Sequence, residues 1–396
     1  MIICDPQQTD HTSHSLSNAT SLHLTSLSLQ GFRNYTAARI TLDKRPVVLA
    51  GRNGAGKTNV LEAISLLTPG RGLRRAKLAD LDTIQQQATA SNWAVAATVH
   101  GIQGEVKIGT GRDPESLETD KRTVRIDGKT LRSQAELGRH VAMIWLTPQM
   151  EQLFNDGNSA QRKFLDRLVY SFDTEHASRM NEYEYAMRER NRLLQNGEGN
   201  APWLDALEQS MAETACAIAS ARLQAISSIN HAIMRSTLNF PKAHLSISGI
   251  AEDRLFEDEP AITVEEALKR HWHHARRDDA IAGRTLAGVH RSELTITHIE
   301  KAMPAESCST GEQKAVLLSI ILAQARAAAL WKGLIPLILL DEVISHLDSI
   351  RKLELFEEIC QIGAQTWMTG TDVTLFADLH NKAQYFQVAD GQIIGV

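Results

Sequence analysis

Residues 51–58 restrict the fold of this chain more than any other feature, because they read G-x-x-x-x-G-K-T, the pattern of a phosphate-binding P-loop. The apolar run 46–50 before them predicts a buried parallel strand, and residues 59–67 after them have the apolar spacing of a helix. Glycines allow backbone N–H groups to converge on one phosphate, and a helix N-terminus adds partial positive charge. In this pattern Lys57 reaches the β- and γ-phosphates and Thr58 ligates Mg²⁺. We therefore predict that a nucleoside triphosphate is bound by Gly51, Arg52, Asn53, Gly54, Ala55, Gly56, Lys57, Thr58 and Asn59.

Charge and cysteine content narrow the class of protein. The formal net charge of −5 argues against a general polycation, although a local basic patch is enough to bind nucleic acid. The four cysteines are far apart and form no C-x-x-C pair, which disfavours a zinc site and a disulfide framework and favours a reducing compartment. Residues 1–21 are polar and lack the apolar core of a secretory signal, so we predict a disordered tail. No apolar run approaches the ~20 residues of a transmembrane helix, so we expect a cytoplasmic protein without a membrane partner.

The order of the apolar patterns predicts an α/β protein with an inserted helical domain. Strand patterns alternate with helices near both ends of the chain. Residues 159–236 are instead charged, alanine-rich and poor in Gly and Pro, which predicts two long helices divided at residues 196–202. We therefore expect a head composed of residues 22–158 and 283–396, and a helical arm, or lid, of residues 159–282.

A second part of the nucleotide site is predicted at Asp341 and Glu342, which end the apolar run 334–340 as in a Walker B strand. An aspartate there holds Mg²⁺ directly or through water. The neighbouring Glu342 is placed to polarise the attacking water, and we predict that it is the catalytic base. Carboxylates also end strands by chance, but the P-loop in the same chain makes that alternative weaker.

Residues 309–313, S-T-G-E-Q, resemble the signature motif of ABC ATPases, and residues 345–348, S-H-L-D, resemble their D-loop. A serine hydroxyl at a helix N-terminus forms an anion site. Ser309 and Glu312 also fit an ordinary capping box, and the two interpretations are compatible. In ABC ATPases this motif binds the γ-phosphate held by the other subunit. The resemblance therefore implies that Ser309 and Gly311 act in trans and that ATP joins two copies of the chain.

The wider pattern resembles the RecF family of SMC- and Rad50-like ABC ATPases, over nearly the whole chain after residue 21. The resemblance rests on residues 31–35 (G-F-R-N-Y), 51–59, 157–167, 190–191, 288–291 (G-V-H-R), 309–314 and 339–348. It implies an ABC-type ATPase head of the P-loop NTPase class, with ATP and Mg²⁺ as cofactors and weak, DNA-stimulated hydrolysis. It also implies an ATP-dependent homodimer on single-stranded DNA, double-stranded DNA or their junctions, which helps RecO and RecR to load RecA.

Two further site residues follow from this resemblance. Arg33 is expected close to the nucleotide by analogy with SMC-type heads, and Gln149 is expected at the metal as the Q-loop glutamine. For each, an ordinary surface residue is the alternative. The chain departs from the ABC pattern at Cys308, where leucine is common, and at residues 369–371, which contain no switch histidine. γ-Phosphate sensing in that segment would depend on a threonine.

Basic clusters suggest where DNA could bind. Such residues can bind phosphates without reading sequence, although a solvated basic face is an equally good interpretation of each cluster. The first cluster, which we predict as the DNA contact, is Arg71, Arg74, Arg75 and Lys77; the second is Lys121, Arg122 and Arg125.

Two alternative functions remain open from the sequence. Another SMC- or Rad50-like DNA-associated ATPase would share the head and arm, and would predict an attached nuclease domain. A transporter ATPase would predict a compact domain that docks on a membrane subunit. The helical insertion between the P-loop and Asp341 argues against the transporter.

Overall fold

The computed structural model describes residues 19–83, 92–102, 104–112, 122–154, 156–197 and 201–396. The helices of these residues are α1 (Lys57–Ser65), α2 (Gly157–Val169), α3 (His176–Asn196), α4 (Ala201–Arg235), α5 (Glu252–Phe256), α6 (Ala261–Ala282), α7 (Thr310–Lys332) and α8 (Ser349–Ile362). The strands are β1 (Thr20–Ser21), β2 (His23–Phe32), β3 (Tyr35–Thr41), β4 (Val47–Ala50), β5 (Ala94–Gly101), β6 (Gly104–Arg112), β7 (Arg122–Ile126), β8 (Lys129–Thr130), β9 (Met143–Leu146), β10 (Ala243–Ser248), β11 (Glu293–His298), β12 (Met303–Pro304), β13 (Leu334–Ile335), β14 (Leu337–Leu340), β15 (Thr366–Gly370), β16 (Gln384–Ala389) and β17 (Gln392–Gly395).

A six-stranded sheet in the order β17-β16-β4-β15-β14-β9 forms the centre of the head. All its pairs are parallel except β16 with β17. Strands β4, β14 and β15 are buried along their whole length, as expected when both faces of a parallel sheet are covered. Ligands bind such sheets beyond the carboxyl ends of the strands, and the P-loop and Asp341 follow β4 and β14 at that edge.

A second, antiparallel sheet in the order β3-β2-β5-β6-β7-β8 covers one side of the head. Its apolar face, α1 and one face of the central sheet share one buried cluster, which includes Leu27, Trp93, Leu61 and Trp367. This packing fixes the turn between β2 and β3 against the P-loop. The mixed helix and strand content confirms the α/β fold class.

Helix α7 is the central helix of the head. By length and composition it is the one helix of the described residues that could cross a membrane, but 72% of its apolar window is buried. Ala315, Leu318 and Leu322 belong to the main hydrophobic core, with residues of β14 and α4. The apolarity of α7 is thus explained by its place inside the fold.

Two boundaries differ from the sequence predictions. β1 pairs in parallel with β13, so the last two residues of the predicted tail are strand, and the prediction of disorder is wrong there. Residues 1–18 lie outside the described residues. β10, inside the predicted arm, pairs with β11 of the predicted head, with Leu245 opposite Ile296. The proposed division at residues 282 and 283 therefore separates strands of one sheet.

The predicted arm contains three helices before residue 236, where two were expected. The chain turns between α2 and α3, and Gly197 ends α3 in a left-handed conformation (φ 66°). Residues 198–200 of the predicted break lie outside the described part of the chain. Tyr183, Met211, Leu268 and Trp272 pack together as the centre of the arm.

Two fully buried arginines connect the arm to the head. The Arg222 guanidinium donates to both carboxylate oxygens of Asp166 (2.9 and 3.1 Å), to Glu252 (3.1 Å) and to the Val289 carbonyl (2.8 Å). These contacts join α2, α4, α5 and the segment before β11. Arg190 contacts acids of α4 and α6 in the arm, and it donates to the Thr285 hydroxyl (3.0 Å) in the segment assigned to the head. Buried charges tolerate this environment because each cation meets carboxylates and hydrogen-bond acceptors.

Arg222→Met should lower the free energy of unfolding by about 3–5 kcal/mol, because it leaves the Asp166 and Glu252 carboxylates buried without their cation. Urea unfolding followed by far-UV circular dichroism measures the change. The control is Arg188→Met on α3, an exposed side chain, which should change stability by less than about 0.5 kcal/mol. Equal effects of the two substitutions would contradict a structural role for the Arg222 cluster.

The segment 288–291 is held by a half-buried histidine, His290. His290 Nε2 lies 3.0 Å from the Thr285 carbonyl, which only accepts, so this nitrogen carries the proton. The Tyr183 hydroxyl then donates to Nδ1 at 2.8 Å. Gly288 (φ 143°) permits this contact, since a Cβ there would lie 2.3 Å from the Tyr183 oxygen. Burial lowers the pKa of His290, and the nearby Arg291 and Arg162 add to the shift.

Because the folded pKa of His290 lies below the usual value, the folded state resists protonation there, and stability is lost as pH falls below about 6.5. His290→Gln should therefore lose less stability between about pH 7.5 and about pH 5.5 than the wild type. The measurement is urea unfolding at the two pH values. His244→Gln, an exposed site on β10, should keep the wild-type pH dependence; the same change in both variants would refute the assignment.

Candidate nucleotide-binding site

The P-loop connects the central strand β4 to α1. Gly56 precedes the helix in a left-handed conformation (φ 108°), and no side chain caps the helix. Gly51 must be glycine, because a Cβ there would lie 2.3 Å from the Val388 carbonyl. Lys57 is buried, and its ammonium donates to the carbonyls of Gly51 (2.7 Å) and Arg52 (3.0 Å). The loop is thus shaped around its own lysine, with an uncapped helix N-terminus that suits an anion.

Three side-chain oxygens, from Thr58, Thr369 and Asp341, converge beside the loop. Asp341 Oδ1 accepts from the hydroxyls of Thr58 (3.0 Å) and Thr369 (2.8 Å). Burial raises the pKa of Asp341, while the two hydroxyl donors counteract the shift. Burial also lowers the pKa of Lys57, although the nearby carboxylates of Glu342 and Asp341 act in the opposite direction and raise it. A carboxylate and a threonine hydroxyl next to a phosphate site fit a hard divalent cation bound together with a triphosphate.

Glu342 occupies an unusual backbone position. Its φ of 54° lies in the left-handed region, which is rare for a residue other than glycine. Its amide donates to the Thr369 hydroxyl (2.8 Å), the same hydroxyl that donates to Asp341. One threonine on β15 therefore orients both acidic residues that follow β14. Such strain at a chain turn is characteristic of functional sites.

The turn between β2 and β3 lies against the P-loop. Arg33, predicted at the nucleotide, makes two hydrogen bonds of 2.9 Å to Glu62 of α1. The structure thus places Arg33 beside the P-loop helix, with its guanidinium occupied by a buried carboxylate. The Asn34 amide donates to the Ala55 carbonyl (3.0 Å), and the Tyr35 hydroxyl donates to the Gly56 carbonyl (3.0 Å). Sequence reasoning missed Asn34 and Tyr35, although they are adjacent to Arg33 in the same motif.

Gln149 follows β9, the neighbour of β14, but it is exposed at the start of a short 3₁₀ segment (Pro148–Phe154). Its side chain makes no hydrogen bond within the described residues. Asp341 is connected to this part of the chain through its amide, which donates to the Leu146 carbonyl (2.9 Å). The role of Gln149 at the metal stays a prediction.

The predicted signature motif begins α7 as a capping box. The Ser309 amide and hydroxyl both donate to Glu312 (3.1 and 2.9 Å), and the Lys301 ammonium contacts the other carboxylate oxygen (2.6 Å). Lys301 and Ser309 together hold the pKa of Glu312 at about 2. Ser309 and Gly311 are exposed, and no hydrogen bond joins them to the P-loop within the described residues. The same chain therefore presents the P-loop and the signature motif as separate surfaces.

The residues predicted to bind DNA point in different directions. Arg74 turns towards α1, where it donates to Asn59 Oδ1 (3.0 Å) and lies 3.8 Å from Glu62. Arg71, Arg75 and Lys77 are exposed. In the second cluster Lys121 lies outside the described residues. Arg122 is wrongly predicted as a surface cation, because it is buried and donates to the carbonyls of Thr68 and Gly70.

Sequence comparison identifies a family. The model of the RecF/RecN/SMC N-terminal domain matches residues 23–393. The DNA replication and repair protein RecF of Agrobacterium fabrum is 45% identical over 372 residues, which are 93% of this chain and 98% of that protein. RecF of Rhizobium rhizogenes is 46% identical over 369 residues, which are 93% and 97% of the two chains.

Solved structures share the fold. The recombination mediator protein RecF with ATP superposes with a TM-score of 0.81 at 22% identity, over 95% of this chain and 100% of that chain. An Smc head domain from Pyrococcus furiosus, with an extended coiled coil, gives a TM-score of 0.55 at 15% identity, over 95% and 96% of the two chains. The fold is that of an ABC-type ATPase head of the RecF and SMC class.

Thr369→Val should weaken Mg²⁺-dependent binding of a nucleoside triphosphate by about tenfold, because it removes the hydroxyl that accepts from the Glu342 amide and donates to Asp341. Titration with a fluorescent ATP analogue, with and without Mg²⁺, measures the effect. The control is Thr366→Val in the same strand, whose hydroxyl donates to the Ala364 carbonyl away from the site. If both variants bind like the wild type, Thr369 does not organise the site.

Proposed function

The chain belongs to the RecF family of DNA replication and repair proteins, and on that basis we propose that it is an ATPase whose two copies close on DNA when ATP is bound. The observation that carries this proposal is the cluster of Lys57, Thr58, Asp341 and Thr369 beside the P-loop. We propose that the protein acts in the cytoplasm, at single-strand gaps and single-strand/double-strand junctions.

The residues of this cluster have distinct roles in the proposal. Lys57 exchanges its two carbonyl contacts for the β- and γ-phosphates of ATP. Thr58 and Asp341 would hold Mg²⁺, with Gln149 as a further ligand. The ion, when bound, neutralises phosphate charge. Glu342 accepts the proton of the attacking water. Thr369 orients Glu342, because its hydroxyl accepts a hydrogen bond from the Glu342 backbone amide.

The exposed signature motif supports a composite site. The N-terminus of α7, with Ser309 and Gly311, forms an anion site. In the described residues no hydrogen bond joins this site to the P-loop of the same chain. Space around Gly311 is open, since a Cβ there would have no neighbour within 4 Å. We propose that this surface covers the ATP held by a second copy of the chain, so that ATP stabilises the dimer and hydrolysis releases it.

We propose DNA and two proteins as partners. The solved relative is described as a recombination mediator in the RecFOR pathway. By family membership, this chain would act with RecO and RecR to help load RecA. Exposed cations after α1, namely Arg71, Arg75 and Lys77, support contact with the DNA backbone. Weak ATP hydrolysis that DNA stimulates would then make release of the dimer depend on the state of the DNA.

Glu342→Gln should accumulate ATP-bound dimers on DNA, because it keeps the phosphate contacts and lowers hydrolysis by about 10²-fold or more. Lys57→Met should form no such dimers, because it removes the cation that faces the phosphates. Sedimentation velocity with ATP and gapped DNA distinguishes the two. Glu257→Gln, an exposed carboxylate in the arm, is the control and should dimerise and hydrolyse like the wild type. Monomers for both site variants would refute the mechanism.

A further inference from the structure

A cavity lies where the head meets the arm, at the end of α1 opposite the P-loop. Its volume is about 330 Å³, and four cations line it: Arg71 and Arg75 from the loop after α1, and Lys163 and Arg167 from α2. We propose that this cavity binds a phosphate group, carried by a nucleic-acid strand or by a free phosphate. Where the ligand is a strand, the inference rests on the DNA-binding function proposed above and gives it a defined contact.

Arg167 is the main argument for an anion. Its guanidinium carbon lies 5.1 Å from the Trp145 ring centre and 5.4 Å from that of Phe164, so aromatic side chains cover its faces. The one hydrogen bond that its guanidinium makes within the described residues is to the Met150 sulfur. Burial and the charge of Arg75 lower the pKa of Arg167 to about 9, so it remains a cation at neutral pH. An arginine without a carboxylate in such surroundings leaves strong donors for a ligand.

Other arginines that are buried or half-buried have their own partners. Arg33, Arg190 and Arg222 each meet a carboxylate at 3.1 Å or less, and the buried Arg122 donates to two backbone carbonyls. Of the acidic residues at the cavity, Asp166 is already engaged by Arg222 and by His176 at 2.9 Å. Glu184 is the other acid that lines the cavity, and it is exposed. The four cations therefore exceed the local negative charge.

The loop that carries Arg71 and Arg75 is firmly built. Arg122 of β7 donates to the carbonyls of Thr68 (3.1 Å) and Gly70 (2.8 Å). The Leu73 amide donates to the Ser65 hydroxyl (2.7 Å), which ties the loop back to α1. Arg75 itself has a φ of 54°. Because the backbone of the loop is fixed at these points, binding through Arg71 and Arg75 costs little backbone entropy.

The same loop also contacts the P-loop helix. Arg74 lies between Arg71 and Arg75 in the chain, and it donates to Asn59, the residue after Thr58. A phosphate held by Arg71, Arg75 and Arg167 would therefore act on a segment that contacts the nucleotide site. The cavity supplies a physical route by which a bound strand can alter hydrolysis.

The first test uses Arg167→Met, which keeps the buried stem and leaves no carboxylate unpaired, and the double variant R71Q/R75Q, whose side chains are exposed. Anisotropy with labelled gapped DNA at several salt concentrations should show about three- to tenfold weaker binding, and a log–log salt slope reduced by about one for Arg167→Met. ATP-dependent dimerisation without DNA should stay intact. Arg277→Gln, exposed on α6 and outside the cavity, is the control.

The second test distinguishes the source of the phosphate. Inorganic phosphate is titrated against Lys57→Met, with and without Arg167→Met, and the Tm is measured. A rise in Tm that requires Arg167, together with unchanged DNA affinity, identifies a free phosphate as the ligand. Weaker DNA binding identifies a strand. Unchanged DNA affinity together with an unchanged Tm response in all cavity variants would overturn the inference. If the wild type does not dimerise with ATP, the proposed function alone is overturned.

Discussion

The contact between Asp341 and the hydroxyls of Thr58 and Thr369 is the interaction on which the head depends. It joins α1, β14 and β15, and it connects two residues that are 283 positions apart in the sequence. The chain between them includes strands β5 to β8 of the second sheet and the whole arm, and it leaves and returns to this one point. Because a buried carboxylate requires its donors, the same contact that closes the fold also arranges the ligands of the nucleotide site.

Helix α1 connects the two anion sites that we infer. Its N-terminus is left uncapped by side chains and faces the P-loop, whereas its C-terminal side is followed by carbonyls that Arg122 satisfies. The charge distribution agrees with the helix dipole, since a cation near the C-terminal end is favourable. In the loop that follows α1, Arg71 and Arg75 are exposed, whereas Arg74 donates to Asn59 of the helix.

The local elements of the site could be predicted from the sequence, because strand, glycine loop and helix follow one another within a few residues. The helix predicted from residues 59–67 is α1, which the structure gives as Lys57–Ser65. The partners of the arginines could not be predicted. Arg122 and Arg125 look alike in the sequence, yet Arg122 is buried against the loop that follows α1 and Arg125 is exposed. Such differences depend on which face of a strand meets another element, and thus on tertiary packing. The strand of residues 20–21 was missed because it is set by β13, far away in the sequence.

The pairing of β10 with β11 has a mechanical consequence. Six residue pairs connect the strand of the predicted arm to the strand that leads, through β12, to Ser309. An arm attached in this way cannot swing freely about a flexible hinge, because the ladder would break first. A displacement of the arm would instead be transmitted through β11 and β12 to the start of α7. Binding of a partner at the arm would therefore also change the position of Ser309, the residue that we propose to contact the second copy.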